Sequence, residues 1–199
     1  MDLPNNSGQI FLFNKPIGWT SFDLVRKVKN TLKMKKKVGH AGTLDPLATG
    51  LLIICTERKT KEIESIQALP KEYTGTFVLG ASTPCFDLEK EVNQTKDISD
   101  ITEEKIFNVA QSFLGDQMQV PPIFSAVKVN GERAYNLARE GAEVELKPKP
   151  ITIYEFEINS IQLPEVHFRV KCSKGTYIRS LARDFALALD NIAYLTNLK

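Results

Sequence analysis

Residues 39–50 read GHAGTLDPLATG and interrupt an otherwise regular pattern of helices and strands with three glycines and a proline. Such a segment predicts a long, structured loop over residues 38–50, and the apolar residues 51–55 that follow it are typical of a buried strand. Loops held between regular elements often carry function. Asp45 is the only carboxylate of this loop, and Pro46 restricts its backbone to extended conformations, which limits where the side chain points. An oriented carboxylate suits a nucleophile, and an Asp-Pro turn whose carboxylate accepts bonds from nearby amides is the alternative.

The segment before the loop predicts a strand, a turn and an amphipathic helix. Residues 9–13 (QIFLF) are typical of a short buried strand, and residues 14–18 (NKPIG) of a turn. Thr20, with Asp23 three residues later, resembles a capping box at the start of a helix. The apolar face of this helix is predicted from four residues at spacings of three and four, namely Phe22, Val25, Val28 and Leu32.

After the loop, helical and strand patterns mix without a regular βαβ rhythm. Helices are predicted over residues 58–69, 102–114 and 134–140, and over a last segment from Ile178 that Thr176 caps. Strands are predicted over residues 72–81, 151–161 and 166–172, and Asn130-Gly131 predicts a hairpin within residues 127–135. This mixture predicts an α+β fold with a mixed, largely antiparallel sheet flanked by helices.

Composition is that of an ordinary globular protein. The chain has 199 residues, of which 42% are hydrophobic and 25% charged, and this length predicts a single domain over residues 1–199. The longest apolar runs, residues 51–55 and 185–189, are far shorter than the ~20 residues that cross a membrane. The first residues lack the basic segment followed by an apolar run that marks a secretory signal, so we expect a soluble, cytoplasmic protein.

The formal net charge of +2 hides an uneven distribution. Residues 1–61 hold eleven Lys/Arg against four Asp/Glu, whereas residues 62–104 hold three against ten. Seven of the cations fall within twelve residues, namely Arg26, Lys27, Lys29, Lys33, Lys35, Lys36 and Lys37. Such a cluster is typical of a surface that binds a polyanion such as RNA. A solvated helix with lysines favourably placed near its C-terminus is the alternative.

Several common chemistries lack their sequence signatures. The chain contains no G-x-x-x-x-G-K-[ST], G-x-G-x-x-G or G-x-S-x-G segment, which argues against nucleotide-cofactor binding and serine hydrolysis. Its two histidines, His40 and His167, and its three widely spaced cysteines lack metal-ligand spacing. We therefore expect neither a cofactor nor a metal.

Five segments along the chain form recognisable motifs. They are NKPIGWTS at residues 14–21, GHAGTLDPLATG at 39–50, KEY at 71–73, PPIFSAVK at 121–128 and CSKGTYIR at 172–179. In order and spacing they resemble the TruB family, the tRNA pseudouridine-55 synthases, and the likeness runs from Gly8 to the last residue. The resemblance implies the pseudouridine synthase fold and an isomerase that converts uridine to pseudouridine in the T loop of tRNA, without a cofactor.

The same resemblance implies roles for seven residues. Asp45 takes the part of the family nucleophile, and Arg179 that of the arginine that pairs with it. Tyr73 matches the aromatic residue that stacks on the flipped-out base. The remaining positions are implied to bind substrate or brace the site, namely His40, Tyr177, Leu198 and Lys15. For His40, ordering of its own loop is the alternative, and for Lys15 a purely structural role.

Two departures from the family pattern affect these expectations. Where the family usually reads T-D-T-x-D-x-x-G, residues 83–90 read TPCFDLEK and lack the first Asp and the Gly, which puts the conformation of this loop in question. Many bacterial relatives continue into a small RNA-binding PUA domain, whereas this chain stops at Lys199. Either the chain is truncated or its RNA affinity comes from the core alone. We also expect the protein to be a monomer.

Two other functions stay open on the sequence. The first is a catalytically silent RNA-binding module that kept the fold and the basic helix. The second is an enzyme directed to other RNA targets by a guide RNA and partner proteins. Asp45 favours catalysis over silent binding, because a pure binder gains nothing from a carboxylate in a pocket that faces RNA.

Overall fold

The computed structural model describes residues 8–34, 37–125, 127–129, 131–134 and 146–199. The chain divides into two compact units, which are described separately below. The N-terminal unit comprises Met1–Leu69 with Leu198–Lys199, and the C-terminal unit comprises Pro70–Asn197.

The N-terminal unit is a three-stranded sheet with one helix packed on it. Strand β3 (Gly50–Thr56) lies in the centre, and both neighbours pair with it in antiparallel register, as in Leu12↔Ile53 and Gly39↔Cys55. The regular elements of this unit are β1 (Ile10–Lys15), α1 (Ser21–Thr31), β2 (Val38–His40), β3 (Gly50–Thr56), a 3₁₀ helix (Glu57–Glu62) and α2 (Ile63–Ala68). The predicted strand at residues 9–13 is confirmed as β1, which starts one residue later and ends two residues later. The predicted helix at residues 58–69 is a 3₁₀ segment followed by a short α-helix.

Helix α1 confirms the predicted capping box. The Thr20 side chain accepts from the Asp23 backbone amide, while the Asp23 carboxylate accepts from the Thr20 backbone amide. The buried face of the helix packs on β3. The placement of Phe22 on that face was wrong: its side chain is 65% exposed, and Leu24 takes its place in the core. Two positions along a helix differ by about 200° in direction, so Phe22 faces solvent where Leu24 faces the sheet.

The loop predicted over residues 38–50 begins later than expected. Its first three residues form β2, which pairs with the last residues of β3. A three-residue edge strand carries too little periodicity to be recognised in sequence, because its pairing partner defines it. The irregular part therefore runs from Ala41 to Thr49 and contains Asp45.

The C-terminal unit is built on a five-stranded sheet, in the order β12 (Ala193–Leu198), β4 (Lys71–Leu79), β11 (Glu165–Cys172), β10 (Lys149–Gln162) and β7 (Gly115–Gln119). Adjacent strands from β4 to β7 in that order pair antiparallel, which confirms the predicted α+β class. One face carries an aromatic core in which the Phe77 and Phe168 rings stack with centroids 4.1 Å apart, and Phe185 of the last helix lies 5.4 Å from Phe77.

Two helices and two small ribbons also lie among the described residues of this unit. Helix α3 (Glu103–Ser112) begins at Thr102, whose hydroxyl accepts from the Lys105 amide, and α4 (Ile178–Ala188) follows β11. The ribbons pair β5 (Ala81–Ser82) with β6 (Gln94–Thr95), and β8 (Lys128–Val129) with β9 (Glu132–Arg133). The β8–β9 pair confirms the predicted hairpin. The helix predicted over residues 134–140 lies almost wholly outside the described residues.

The predicted cap of α4 was wrong. Tyr177, not Thr176, is the N-cap residue, and it makes no side-chain capping bond. The Thr176 hydroxyl instead donates to the Ser173 carbonyl at 3.0 Å, which closes the turn after β11. Among the described helices, none is long and apolar enough to span a membrane.

Candidate active site

The loop that carries Asp45 is fixed on both sides of that residue. On one side, the Leu44 amide donates to the Ser21 hydroxyl at 2.9 Å, at the start of α1. On the other side, the Pro46 carbonyl accepts from the Gly18 amide at 2.8 Å. The Asp45 carbonyl itself accepts from the Ala48 amide at 3.0 Å. The backbone of Asp45 therefore lies between two anchored residues, and its side chain is half-buried.

Lys15 is the third anchor of this loop and is fully buried at the end of β1. Its ammonium donates to three backbone carbonyls, those of Pro16 at 3.0 Å, Trp19 at 2.6 Å and Pro46 at 3.1 Å. Burial lowers the pKa of Lys15, and the negative charge of Asp45 opposes that shift. The same side chain thus ties the turn before α1 to the residue after Asp45 and places a positive charge near that carboxylate. This geometry gives Lys15 a bracing role.

His40 stands at the end of β2, just before the irregular part of the loop. Its Nδ1 contacts the carbonyl of Gly42, two residues on, so the ring orders its own loop. Gly42 has φ of +122°, a backbone conformation that a side chain would strain. The alternative role of His40 is therefore present in the structure, and its contact with RNA stays a prediction.

Leu198 belongs to the N-terminal unit although it ends the last strand. Its carbonyl accepts from the Thr49 amide at 2.9 Å, at the far end of the Asp45 loop. The side chain is half-buried, and its role as an apolar wall of the substrate pocket stays a prediction. The strand that ends at Leu198 was not predicted from the sequence.

In the C-terminal unit, Tyr73 and Tyr177 are placed by different means. Tyr73 lies on β4 opposite Val170, on the strand side that also carries the core residue Phe77, and is half-buried. Tyr177 is held through its backbone, because the buried Gln119 side chain accepts from its amide at 2.8 Å and donates to its carbonyl at 3.1 Å. The structure thus fixes the backbone position of each tyrosine, and the contacts of their side chains with substrate stay predictions.

Arg179 is only 5% exposed, unlike most arginines early in a helix. Its Nε lies 3.4 Å from a carboxylate oxygen of Asp87, which is itself 4% exposed. The two terminal nitrogens donate to the carbonyls of Cys85 at 3.3 Å and Phe124 at 3.0 Å. These contacts hold the guanidinium plane in one orientation. The pairing of Arg179 with Asp45 stays a prediction.

The loop that departs from the family pattern is the one that supplies Asp87. It closes on itself, since the Thr83 hydroxyl donates to the Asp87 carbonyl at 2.6 Å and Phe86 adopts a left-handed conformation with φ of +60°. The second Asp of the family pattern is retained as Asp87, whose buried carboxylate contacts Arg179. Sequence reasoning missed Asp87 as a site residue. The retained Asp within residues 83–90 is the sequence signal that could have identified it.

Within the described residues, no group of three or more His, Cys, Asp and Glu side chains is placed to hold a metal ion. The site residues are one carboxylate with its anchors in the N-terminal unit, and two tyrosines with an Arg–Asp pair in the C-terminal unit. The first group offers an oriented carboxylate, and the second offers aromatic rings and an oriented cation.

The family model described as TruB family pseudouridylate synthase (N terminal domain) matches residues 29–178. A protein from Bacteroides fragilis named tRNA pseudouridine synthase B is 53% identical over 196 residues, which cover 96% of this chain and 84% of that protein. The chain belongs to the TruB family. A second relative of the same name, from Chlorobaculum tepidum, is 48% identical over 98% of this TruB-family chain and 83% of its own length. The protein is thus an enzyme, a pseudouridine synthase of the isomerase class.

Solved structures place the same fold in larger proteins. A chain in a structure described as a Cbf5-Nop10-Gar1 complex aligns with a TM-score of 0.73 and 30% identity over 97% of this TruB-family chain. A chain in an H/ACA RNP bound to a substrate RNA containing 2'-deoxyuridine aligns with a TM-score of 0.70 and 27% identity. The present chain spans 47% and 46% of those two chains. The likeness confirms the predicted fold.

Proposed function

We propose that this protein isomerises uridine to pseudouridine at position 55 in the T loop of tRNA, with Asp45 as the nucleophile. The observation that carries the proposal is the anchoring of Asp45 between Leu44 and Pro46, both of which are bonded to the start of α1 or the turn before it. A nucleophile held in one geometry avoids the entropic cost of orienting it during reaction. Relatives about half identical in sequence bear the name tRNA pseudouridine synthase B, which supports tRNA as the substrate.

The reaction conserves atoms and electrons within one nucleotide. The bond from N1 of the base to C1′ of the ribose breaks, the base turns, and a bond from C5 to C1′ forms. The proton on C5 leaves, and N1 gains one. No oxidant, reductant or group donor enters, so the protein needs only a nucleophile, a pocket and groups that move a proton. One carboxylate serves whether it attacks C1′ or C6.

A uridine within a folded loop must leave its stack before a carboxylate can reach its sugar or its C6. We propose that Tyr73 stacks on the flipped base, a contact worth ~1–3 kcal/mol for a base on an aromatic ring. Tyr177 and Leu198 are proposed to line the pocket, and His40 to contact the rearranged RNA loop. Lys15 is proposed to act on the reaction through the loop it braces.

The proposal is tested by incubating the protein with a tRNA transcript and locating pseudouridine by carbodiimide labelling. The expected result is a single label at position 55, and none in a transcript that carries cytidine there. A label at another position would contradict the T-loop assignment. Binding of tRNA with no label in either transcript would favour the silent RNA-binding module. We propose that the protein acts in the cytoplasm as a monomer. Light scattering should therefore show one chain bound to one tRNA.

A further inference from the structure

The outward face of α1 carries a group of cations that the proposed reaction does not use. The helix buries Leu24, Val25 and Val28 against its sheet and exposes the opposite side. The exposed side bears Arg26, Lys27 and Lys29, and Lys33 follows in the turn that ends the helix. We call these four residues the α1 basic row.

The three lysines of the row have no hydrogen-bonded or ionic partner among the residues that the structure describes. Arg26 alone is paired, with Asp23, and its guanidinium lies 5.9 Å from the centre of the exposed Phe22 ring. The Asp23 carboxylate is already engaged by the backbone amide and the hydroxyl of Thr20 at the helix cap. One carboxylate therefore faces four cations, whereas a helix surface that meets only water usually mixes both signs.

The row stands on a rigid support. The Thr20 and Asp23 capping box fixes the start of the helix, and Lys15 fixes the turn before it. The apolar face is packed on the buried residues Leu52 and Ile54 of β3. Cations on a fixed helix lose less conformational entropy on binding than cations on a mobile segment.

The spacing of the row suits a phosphate backbone. Residues 26–33 occupy about 10 Å along a helix axis at 1.5 Å per residue. Phosphates of one strand in B-form DNA follow each other at about 3.4 Å along the duplex axis, so the row is about as long as three phosphate steps. The Phe22 ring supports the Arg26 guanidinium by a cation–π contact.

We propose that the α1 basic row is a docking surface for the phosphate backbone of a base-paired stem of the substrate RNA. The inference rests on the proposed function for the identity of the RNA, and it adds a contact outside the nucleotide that reacts. Its contribution is to affinity, through release of counterions, and not to the chemical step.

The test compares two triple variants of equal charge. In the first, Lys27, Lys29 and Lys33 are changed to Gln, which keeps helix propensity close to that of Lys. In the matched control, Arg58, Lys61 and Lys149 are changed to Gln, three exposed cations without a partner among the described residues. The dissociation constant for a tRNA transcript is measured at several salt concentrations. Pseudouridine formation is measured in a single turnover with protein saturating.

The row variant is expected to bind tRNA about tenfold or more weakly at low salt, and its log–log salt slope to fall by about 2 to 3, since each phosphate contact contributes ~0.7–0.9. The control should keep the wild-type slope within about 1. A third variant, with the same lysines changed to Arg, should restore both affinity and slope. At saturation the row variant should turn over as wild type does.

An unchanged slope in the row variant, or an equal loss in the control, would overturn the docking surface. So would a variant that binds tRNA normally but loses binding to vesicles of mixed phosphatidylcholine and phosphatidylserine, since the row would then face a membrane. These outcomes are separate from the proposed function, because a wild-type protein that binds tRNA in this way but makes no pseudouridine would contradict only the reaction.

Discussion

The α1 basic row and the exposed face of the five-stranded sheet differ in whether their cations are paired with carboxylates. On the sheet, Arg169 of β11 donates to three carboxylates, those of Glu72 at 2.8 Å, Glu155 at 2.5 Å and Glu157 at 2.5 Å. The three lysines of the row have no such partner among the described residues. A cation surrounded by its own acids has little left to offer a ligand, whereas an uncompensated row attracts a polyanion. The comparison separates charges that serve the fold from charges that serve recognition.

Lys15 differs from both cases, because it is a buried cation whose ammonium is hydrogen-bonded to backbone carbonyls. Three carbonyls accept from its ammonium, and one of them belongs to Pro46, next to Asp45. Lys15 lies neither in a cluster of carboxylates, as Arg169 does, nor on an exposed surface, as the α1 basic row does. It connects the fold of the N-terminal unit with the geometry of the candidate nucleophile.

The largest expected effect on stability follows from this difference. Lys15→Met should lower the free energy of unfolding by about 3 kcal/mol, because it leaves buried carbonyls without a donor. Arg169→Met removes the same charge from a solvated cluster and should cost far less, since water replaces the lost partners. Urea unfolding of the two variants measures both. Equal losses would mean that the carbonyl clamp on Lys15 contributes no more than a surface ion pair.

A second prediction concerns Arg179, whose guanidinium is held at three points. Arg179→Lys keeps the charge, but a single ammonium cannot reproduce the planar fork that meets Asp87 and two carbonyls. Because the family resemblance implies that Arg179 orients the nucleophile, we expect the single-turnover rate to fall about 100-fold with little change in the tRNA dissociation constant. The matched control is Arg183→Lys, one turn later in α4, which should stay within about threefold of wild type.

The contact with Asp87 gives this prediction a second arm. Asp87→Asn should reproduce much of the Arg179→Lys defect, and the double variant should be little worse than either single one, because both changes damage one unit. A normal single-turnover rate with salt-dependent loss of tRNA binding would instead make Arg179 a phosphate contact.

The smallest expected effect is a pH dependence of the Arg169 cluster. Hydrogen bonds from Arg169 lower the pKa of Glu155 and of Glu157. Carboxylates with a lowered folded-state pKa stabilise the fold above their ordinary pKa, and that contribution is lost as pH falls through the folded-state value. The difference in Tm between wild type and Arg169→Gln should therefore be greatest near neutrality and shrink below about pH 4.5. A difference that grows at acid pH would contradict the assignment.

Local sequence signals predicted much of the fold. The Thr20–Asp23 capping box, the alternation in β4 and the Asn130-Gly131 turn each act over a few residues, and the corresponding elements are present. Strands β2, β7 and β12 were not predicted. Each is short or at an edge of its sheet, and tertiary pairing, rather than periodicity, defines such strands.

The candidate site was predictable in a different way. Asp45, as the single carboxylate of a structured loop, could be singled out from residue types, whereas the other roles depended on the family resemblance. The partners of Lys15 and of Arg179 could not be predicted, because Pro46 and Asp87 lie far from them in sequence. The side chain of Phe22 fits a helical spacing yet faces solvent, since spacing alone does not define which side of a first turn meets the sheet.

The central claim is that Asp45 performs the chemistry while affinity for RNA arises elsewhere. The most direct measurement compares Asp45→Asn with wild type, both for single-turnover formation of pseudouridine in tRNA and for the tRNA dissociation constant. We predict that the variant loses turnover by at least about 10³-fold, roughly 4 kcal/mol, and binds tRNA within about tenfold of wild type. Turnover retained in Asp45→Asn would contradict the assignment of Asp45 as the nucleophile.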